Sequence, residues 1–249
     1  MDINASKLFQ TSQINGMRLS NRFIRSATWE GMAADDGTCT PRLTDLLAQL
    51  AKGGVGLIIT SHTYVRPEGK GTPCQLGIYN DDLIPSLREM TRAVHEHGSR
   101  VAVELSHAGI LTNANLTGQT PWVVSQVDGF GQGQGHEMTV EDIRKVIEAF
   151  AQAARRAQAA EFDAVQIHAA HGFLLNQFLS PAFNKRTDAY GGTIQNRARA
   201  LLQTLQAIRA AVGNDFPIMV KLNSQDFLDE GLVLEDAIQV GLMLQKEGI

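Results

Sequence analysis

The chain has 249 residues, of which 43% are hydrophobic and 19% are charged, and its formal net charge is −4. These values are ordinary for a globular protein with one large domain, and the slightly acidic balance argues against a nucleic-acid partner. No apolar stretch approaches the roughly 18 residues of a membrane-spanning helix, and residues 1–5 lack the basic and apolar regions of a signal peptide, so we expect a cytoplasmic protein without a membrane partner.

The first predicted element is a β-hairpin over residues 9–22. Asn15 and Gly16 lie between two short strand-like segments, and this pair suits a type I′ turn. Residues 22–28 then predict a first buried strand.

Strands and helices alternate along the rest of the chain. Further strands are predicted at residues 55–60, 101–105, 163–167 and 217–222, where continuous apolar runs are typical of a parallel sheet buried on both faces. Helices are predicted from Thr40-Pro41 to Gly53, over 82–97, from a capping box at Thr139 and Asp142, over 196–212 and over 234–248. A Gly-rich loop, residues 129–135, is of a kind that often covers a ligand site.

Five strand–helix units in series imply a parallel sheet with right-handed crossovers. Polar residues follow nearly every strand, which favours a TIM (β/α)8 barrel over a doubly wound sheet with one switch point. These residues are Ser26, Thr28, His62, Glu104, His107, His168, His171, Lys221 and Asn223. Because a closed barrel needs eight units, we expect an α/β fold with an incomplete barrel preceded by the hairpin.

His168 and His171 follow a buried strand and are three residues apart, so both imidazoles can face one small ligand. Three interpretations stay open from the residues alone. The pair donates hydrogen bonds to an anionic oxygen, or it caps the strand end, or it binds a metal with a third ligand from His62, Glu104 or His107. Cys39 and Cys74 form no CxxC pair, which argues against a cysteine-based metal site or a disulfide scaffold.

Several stretches resemble the Old Yellow Enzyme family of FMN-dependent oxidoreductases, and together they span nearly the whole chain. They are residues 21–28, 56–59, 104–109 (ELSHAG, where the family has QLxHAG), 168–174 (HAAHGFL), 178–181 (FLSP), 184–197 and 221–224. The resemblance implies a (β/α)8 barrel with FMN at its C-terminal mouth. It also implies that NADH or NADPH delivers hydride to flavin N5, and that the flavin passes it to the β-carbon of an activated alkene such as an enone.

The resemblance assigns roles to individual residues. His168 and His171 would donate hydrogen bonds to the substrate oxygen, on which negative charge grows as hydride arrives. Lys221 would lie near flavin N1 and O2 and stabilise the anionic reduced ring. The remaining cofactor contacts would come from Ser26, Ala27, Thr28, Trp29, His62 and Glu104, with no defined role for His62.

The family pattern is not kept at Glu104, at Phe173 or at Ile110, which stands where an arginine is common. Glu104 replaces a glutamine, and a carboxylate only accepts hydrogen bonds unless it is protonated. It would therefore have a raised pKa, pair with Lys221, or weaken flavin binding. Phe173 replaces a tyrosine whose hydroxyl can protonate the substrate, so the proton would come from water or another group.

The resemblance places the FMN phosphate on loops after barrel strands seven and eight, which lie beyond the five predicted units. We therefore expect residues 1–249 to be one FMN-binding TIM-barrel domain that is truncated at its C-terminus. The alternatives are a degenerate barrel without redox turnover, the N-terminal part of a dienoyl-CoA reductase-like iron–sulfur flavoenzyme, and a metal-dependent barrel lyase or hydrolase. We expect a small-molecule acceptor as partner and, as in many relatives, a homo-oligomer.

Overall fold

The computed structural model describes residues 6–131 and 135–249. Residues 1–5 and residues 132–134 lie outside this description, and so do the predictions made for the extreme N-terminus and for the centre of the Gly-rich loop.

The predicted hairpin is confirmed. Strands β1 (Ser12–Ile14) and β2 (Met17–Leu19) pair antiparallel. Asn15 and Gly16 have φ angles of +42° and +78°, the left-handed pair that a type I′ turn requires.

A parallel sheet of five strands follows, in the order β3-β4-β5-β8-β9. Its strands are β3 (Ile24–Arg25), β4 (Leu57–Tyr64), β5 (Arg100–Ser106), β8 (Ala164–Ala169) and β9 (Ile218–Leu222), while β6 (Trp122–Val123) and β7 (His136–Glu137) form a separate small pair. The helices are α1 (Pro41–Lys52), α2 (Ile84–His95), α3 (Ala114–Thr117), α4 (Val140–Ala159), α5 (Leu174–Leu179), α6 (Ile194–Arg197), α7 (Arg199–Val212) and α8 (Leu234–Lys246). The chain order of the strands equals their order in the sheet, as in a barrel and unlike a doubly wound sheet.

The prediction of a buried first strand over residues 22–28 is wrong in length and burial. β3 has two residues, and Ile24 is 48% exposed. Among the described residues β3 pairs only with β4, so it is an edge strand whose other side lacks a neighbour that would bury it.

Capping residues begin the helices as the sequence indicates. The Thr40 side chain accepts a hydrogen bond from the Leu43 N–H at the start of α1, with Pro41 in the first turn. Thr139 and Asp142 form the predicted capping box at the start of α4. The apolar sides of α1, α2, α4 and α7 pack on one face of the sheet, against Ile58, Val101, Val103, Leu105, Val165 and Ile167.

The opposite face, here called the inner face, begins with an apolar layer. This layer consists of Leu57, Ile59, Ala102, Ala164 and Met219, and Met17 and Leu19 of the hairpin pack against it. The hairpin therefore closes the N-terminal end of the inner face and leaves the C-terminal end for other groups.

Apolar side chains are exposed at both edges of the sheet, as expected for an open barrel. Phe23 and Ile24 are exposed near β3, and Ile238 and Leu242 are exposed on α8. Within the described residues, no helix combines the length and the apolar composition needed to cross a bilayer. Cys39 and Cys74 are both free thiols.

Candidate active site

Side chains of four strands meet at the C-terminal end of the inner face. Alternate residues of a strand point to opposite faces, so Glu104 follows Ala102 inward on β5, and Gln166 and His168 follow Ala164 on β8. Lys221 of β9 is in register with His168, and His62 of β4 is in register with Glu104. We call His62, Glu104, Gln166, His168 and Lys221 the polar layer.

A β-bulge brings His62 into this layer. Ile59 pairs with Ala102 and His62 pairs with Glu104, so β4 advances by three residues over the length in which β5 advances by two. A bulge of this kind inserts one extra residue and redirects the side chains that follow. Without it, Ser61 would occupy the inward position beside Glu104.

Glu104 and Lys221 form an ion pair within the polar layer. Lys221 Nζ lies 2.7 Å from Glu104 Oε2, and the Glu104 side chain is only 2% exposed. His168 Nε2 lies 3.9 Å from Glu104 Oε1. Burial raises the pKa of Glu104, and the neighbouring Lys221 opposes that rise. Pairing with Lys221 and a raised pKa, two of the consequences considered for a glutamate at this position, thus occur together.

The histidines around this pair are held in their neutral form. Burial, followed by the charge of Lys221, lowers the pKa of His168 to about 2 and that of His62 to about 4. The same two causes lower the pKa of the more exposed His171. Each neutral imidazole offers one N–H donor and one acceptor nitrogen, which suits hydrogen bonding to an oxygen without transfer of a full proton.

Phe173 joins the three imidazoles into one aromatic cluster. Its ring stacks on His168 with centroids 4.4 Å apart, and it meets the edge of His62 at 5.2 Å. The His168 and His171 rings are 5.2 Å apart and nearly perpendicular. The predicted histidine pair therefore converges, and a cavity of about 650 Å³ opens beside His171.

The segment Ser26 to Trp29 follows β3 at the edge of the sheet. Ala27 packs against the apolar layer of the inner face, whereas Ser26 and Thr28 are exposed. Trp29 is 46% exposed, so core packing does not account for it. The structure thus places these four residues directly after β3, the neighbour of the strand that carries His62.

His107 lies apart from the polar layer. It is buried, its Nδ1 accepts the Gly109 N–H at 3.1 Å, and burial lowers its pKa to about 3. No group of three or more His, Cys, Asp or Glu side chains in residues 6–131 and 135–249 has an arrangement that could hold a metal ion.

Gln166 is a site residue that sequence reasoning missed. Its Oε1 and the Nδ1 of His168 are buried atoms without a hydrogen-bond partner. Buried polar atoms are nearly always paired in native proteins, so both point to a polar occupant of this end of the inner face. The available signal was a glutamine between the apolar residues Val165 and Ile167 of a predicted buried strand.

Comparison with known proteins agrees with this architecture. An NADPH dehydrogenase from Halalkalibacterium halodurans is 38% identical over 245 residues, which cover 98% of this chain and 71% of that protein. An NADH oxidase from Thermoanaerobacter brockii is 36% identical over 245 residues, covering 97% of this chain. The chain spans only 38% of the length of that oxidase.

A solved structure gives the same result for the fold. The old yellow enzyme homologue from Zymomonas mobilis superposes with a TM-score of 0.90 at 28% identity, over 98% of this chain and 72% of that one. The predicted TIM-barrel class is therefore confirmed, with five parallel strands present in the described residues. The family model for NADH:flavin oxidoreductases and NADH oxidases matches residues 7–249. The chain therefore belongs to the NADH:flavin oxidoreductase / NADH oxidase family.

Proposed function

We propose that this protein is an FMN-dependent oxidoreductase that passes hydride from NADH or NADPH to an activated alkene such as a cyclic enone, with residues 1–249 as an FMN-binding domain. The observation that carries the proposal is the pair of unpartnered buried atoms, Gln166 Oε1 and His168 Nδ1, beside Lys221. The names of the two relatives, an NADPH dehydrogenase and an NADH oxidase, support a nicotinamide reductant.

The polar layer fits the ring system of a flavin. The pyrimidine edge of a flavin carries both hydrogen-bond donors and acceptors, and Gln166, Glu104 and Lys221 offer both kinds of partner. When bound, FMN would accept hydride at N5 and release it to the alkene. Lys221 would hold the cofactor edge that gains negative charge, and Ser26, Ala27, Thr28, Trp29 and His62 would flank the ring.

His168 and His171 would hold the carbonyl or nitro oxygen of the substrate. Their rings converge from one side, and both are neutral because burial and Lys221 lower their pKa values. Fixed donors aimed at an oxygen that gains charge stabilise the transition state more than the ground state.

Phe173 cannot supply a proton to the substrate. Its ring stacks on His168 with centroids 4.4 Å apart and covers one side of that imidazole. The proton for the α-carbon would therefore come from water entering through the cavity beside His171.

The proposal is tested by titrating the full chain with FMN and then reducing it anaerobically with NADH or NADPH. We expect flavin absorbance that bleaches on reduction and returns when 2-cyclohexenone is added. His168→Ala and His171→Ala should each lower kcat by about a hundredfold. The exposed His97 gives the matched control His97→Ala, with unchanged turnover. A protein that takes up no FMN, or histidine variants with wild-type kcat, would contradict the proposal.

A further inference from the structure

The turn that carries His171 has an unusual backbone. His171 and Gly172 are consecutive residues with φ angles of +58° and +76°. Glycine adopts this left-handed region readily, but a residue with a Cβ is disfavoured there. Strained conformations of this kind persist only where surrounding contacts enforce them, and they cluster at functional sites.

Two asparagine side chains hold the turn. Asn223 Oδ1 accepts the His171 N–H at 3.0 Å, and Asn176 Oδ1 accepts the Gly172 N–H at 2.7 Å. Asn176 lies in α5 and is only 1% exposed, while Asn223 directly follows β9. The turn is thus held by α5 and by the segment that follows β9.

Asp226 fixes the orientation of the side-chain amides of Asn223 and Asn176. Its Oδ1 accepts from Asn223 Nδ2 at 2.8 Å and from Asn176 Nδ2 at 3.2 Å, and its Oδ2 accepts the Leu232 N–H at 2.9 Å. An asparagine amide can turn over and present its NH2 group instead of its oxygen, whereas an ionised carboxylate only accepts. Asp226 therefore keeps both amide oxygens facing the turn.

We propose that Asp226, Asn223 and Asn176 are positioning residues that hold the His171 imidazole at the substrate oxygen by fixing the left-handed turn on which it is carried. The inference rests on the function proposed above, in which His171 binds that oxygen. Asn223 and Asn176 accept from the backbone of the turn, and Asp226 accepts from both asparagine amides. Their effect on the reaction is assigned to His171, whose position they fix. Loss of their contacts should let the turn relax and move the imidazole, and displacement of a catalytic group by about 1 Å can cost a hundredfold in rate.

Asp226→Asn is the sharpest test, because it preserves shape while it replaces one acceptor oxygen with an NH2 group. In either orientation of the new amide, that NH2 group faces a donor, either Leu232 N–H or the two asparagine amides. Asn223→Ala removes the contact to His171 directly and serves as a second variant if Asp226→Asn folds poorly. Asp229→Asn is the matched control, since Asp229 is an exposed residue of the same loop.

The measurements are made on the full chain loaded with FMN. We expect Asp226→Asn and Asn223→Ala to shift the His171 imidazole resonance and its titration in NMR, while the His97 resonance stays in place. With 2-cyclohexenone, the KM should rise and kcat should fall, each by about tenfold. Flavin content should stay at the wild-type level, and Asp229→Asn should match the wild type in every readout.

Wild-type His171 resonances in both variants, with an unchanged KM and kcat, would overturn the inference. A general loss of structure would instead lower flavin content and move the His97 resonance as well, and that result would also count against a positioning role. Failure of the proposed function has a different signature, since the wild type itself would then bind no FMN or leave the enone unreduced. In that case the His171 resonance of the chain without FMN still shows whether Asp226 and Asn223 fix the turn, and unchanged resonances in both variants would overturn that part of the inference as well.

Discussion

Asp163 and Glu104 lie at opposite ends of the same parallel sheet, and each has a histidine and a cationic side chain as neighbours. Asp163, just before β8, accepts from His95 Nε2 at 2.7 Å, from Arg100 Nη1 at 2.8 Å and from the Val101 N–H at 2.8 Å. Glu104 Oε2 lies 2.7 Å from Lys221 Nζ, whereas Glu104 Oε1 lies 3.9 Å from His168 Nε2, beyond hydrogen-bond distance.

The pKa values show how differently the two carboxylates are solvated. Burial alone would raise the pKa of Asp163, but the bonds from His95 and Val101 and the charge of Arg100 outweigh it, so the pKa is lowered. For Glu104, burial outweighs Lys221 and the pKa is raised. The cluster around Asp163, here called the N-terminal cluster, has its hydrogen-bond partners within the protein and stabilises the fold. The cluster around Glu104, at the C-terminal end of the sheet, leaves neighbouring polar atoms unpaired and is suited to a ligand.

The largest effect on stability is expected from Asp163→Ala. The change removes three hydrogen bonds at once and leaves the Val101 N–H without its acceptor, so the free energy of unfolding should fall by about 3 kcal/mol. Urea denaturation followed by circular dichroism measures the change. Glu161→Ala, two residues earlier, removes a half-exposed ion pair with Arg92 and should lower the midpoint much less. A stable Asp163→Ala variant would show that the N-terminal cluster does not stabilise the fold.

Glu104→Gln should instead raise the reduction potential of the bound flavin. Removing the carboxylate leaves the charge of Lys221 uncompensated, which favours the anionic reduced flavin over the oxidised form by about tenfold, or about 30 mV for a two-electron couple. Lys221→Gln should shift the midpoint potential in the opposite direction. Spectroelectrochemical titration of the FMN-loaded chain measures both. A shift of the same sign in both variants would contradict the opposing roles of the pair.

The pH dependence of stability should separate the two carboxylates by sign. The pKa of Asp163 lies below its ordinary 3.8 in the folded state, so its stabilisation is present above that value and is lost as the pH falls through the lowered pKa. The pKa of Glu104 lies above its ordinary 4.5, so its contribution to stability grows as the pH falls from the raised pKa towards 4.5. Unfolding free energies of the wild type and both variants are measured from pH 7 to pH 3. Compared with the wild type, stability should fall less steeply with decreasing pH in Asp163→Asn and more steeply in Glu104→Gln. Equal changes in slope would contradict the comparison.

The smallest effect is expected from Arg100→Met. The Arg100 side chain is 45% exposed, so solvent screens its ion pair with Asp163 and the loss should be about 0.5 kcal/mol. The difference from the wild type should shrink further in 0.5 M NaCl, because salt screens exposed charges. A loss that is larger and independent of salt would mean that Arg100 acts through packing of its aliphatic part.

Much of the fold could be predicted because its signals are local. Continuous apolar runs indicated the buried strands, and Thr40-Pro41 and the Thr139–Asp142 capping box marked two helix starts that the structure confirms. The short elements α3, α5, β6 and β7 carry no comparable periodic signal and were missed. Residues 22–28 were predicted to form a buried strand, but burial of an edge strand depends on neighbours that its own sequence does not encode.

The candidate site was only partly accessible from the sequence. Polar residues after parallel strands could be expected to meet, and His62, Glu104, His168 and Lys221 do so. The inward position of His62 depends on a bulge, and the turn at His171 depends on contacts with Asn223, 52 residues later. Neither feature has a local sequence pattern.

The strand–helix alternation, the hairpin turn and the family of this protein follow from its amino-acid sequence alone, because periodicity, turn chemistry and extended motifs act along the chain. Which polar groups have hydrogen-bond partners depends on the folded structure. Asp163 finds three partners within the protein, while Gln166 Oε1 and His168 Nδ1 find none. Solvation and hydrogen bonding depend on which distant segments are brought together, and that is a property of the folded molecule.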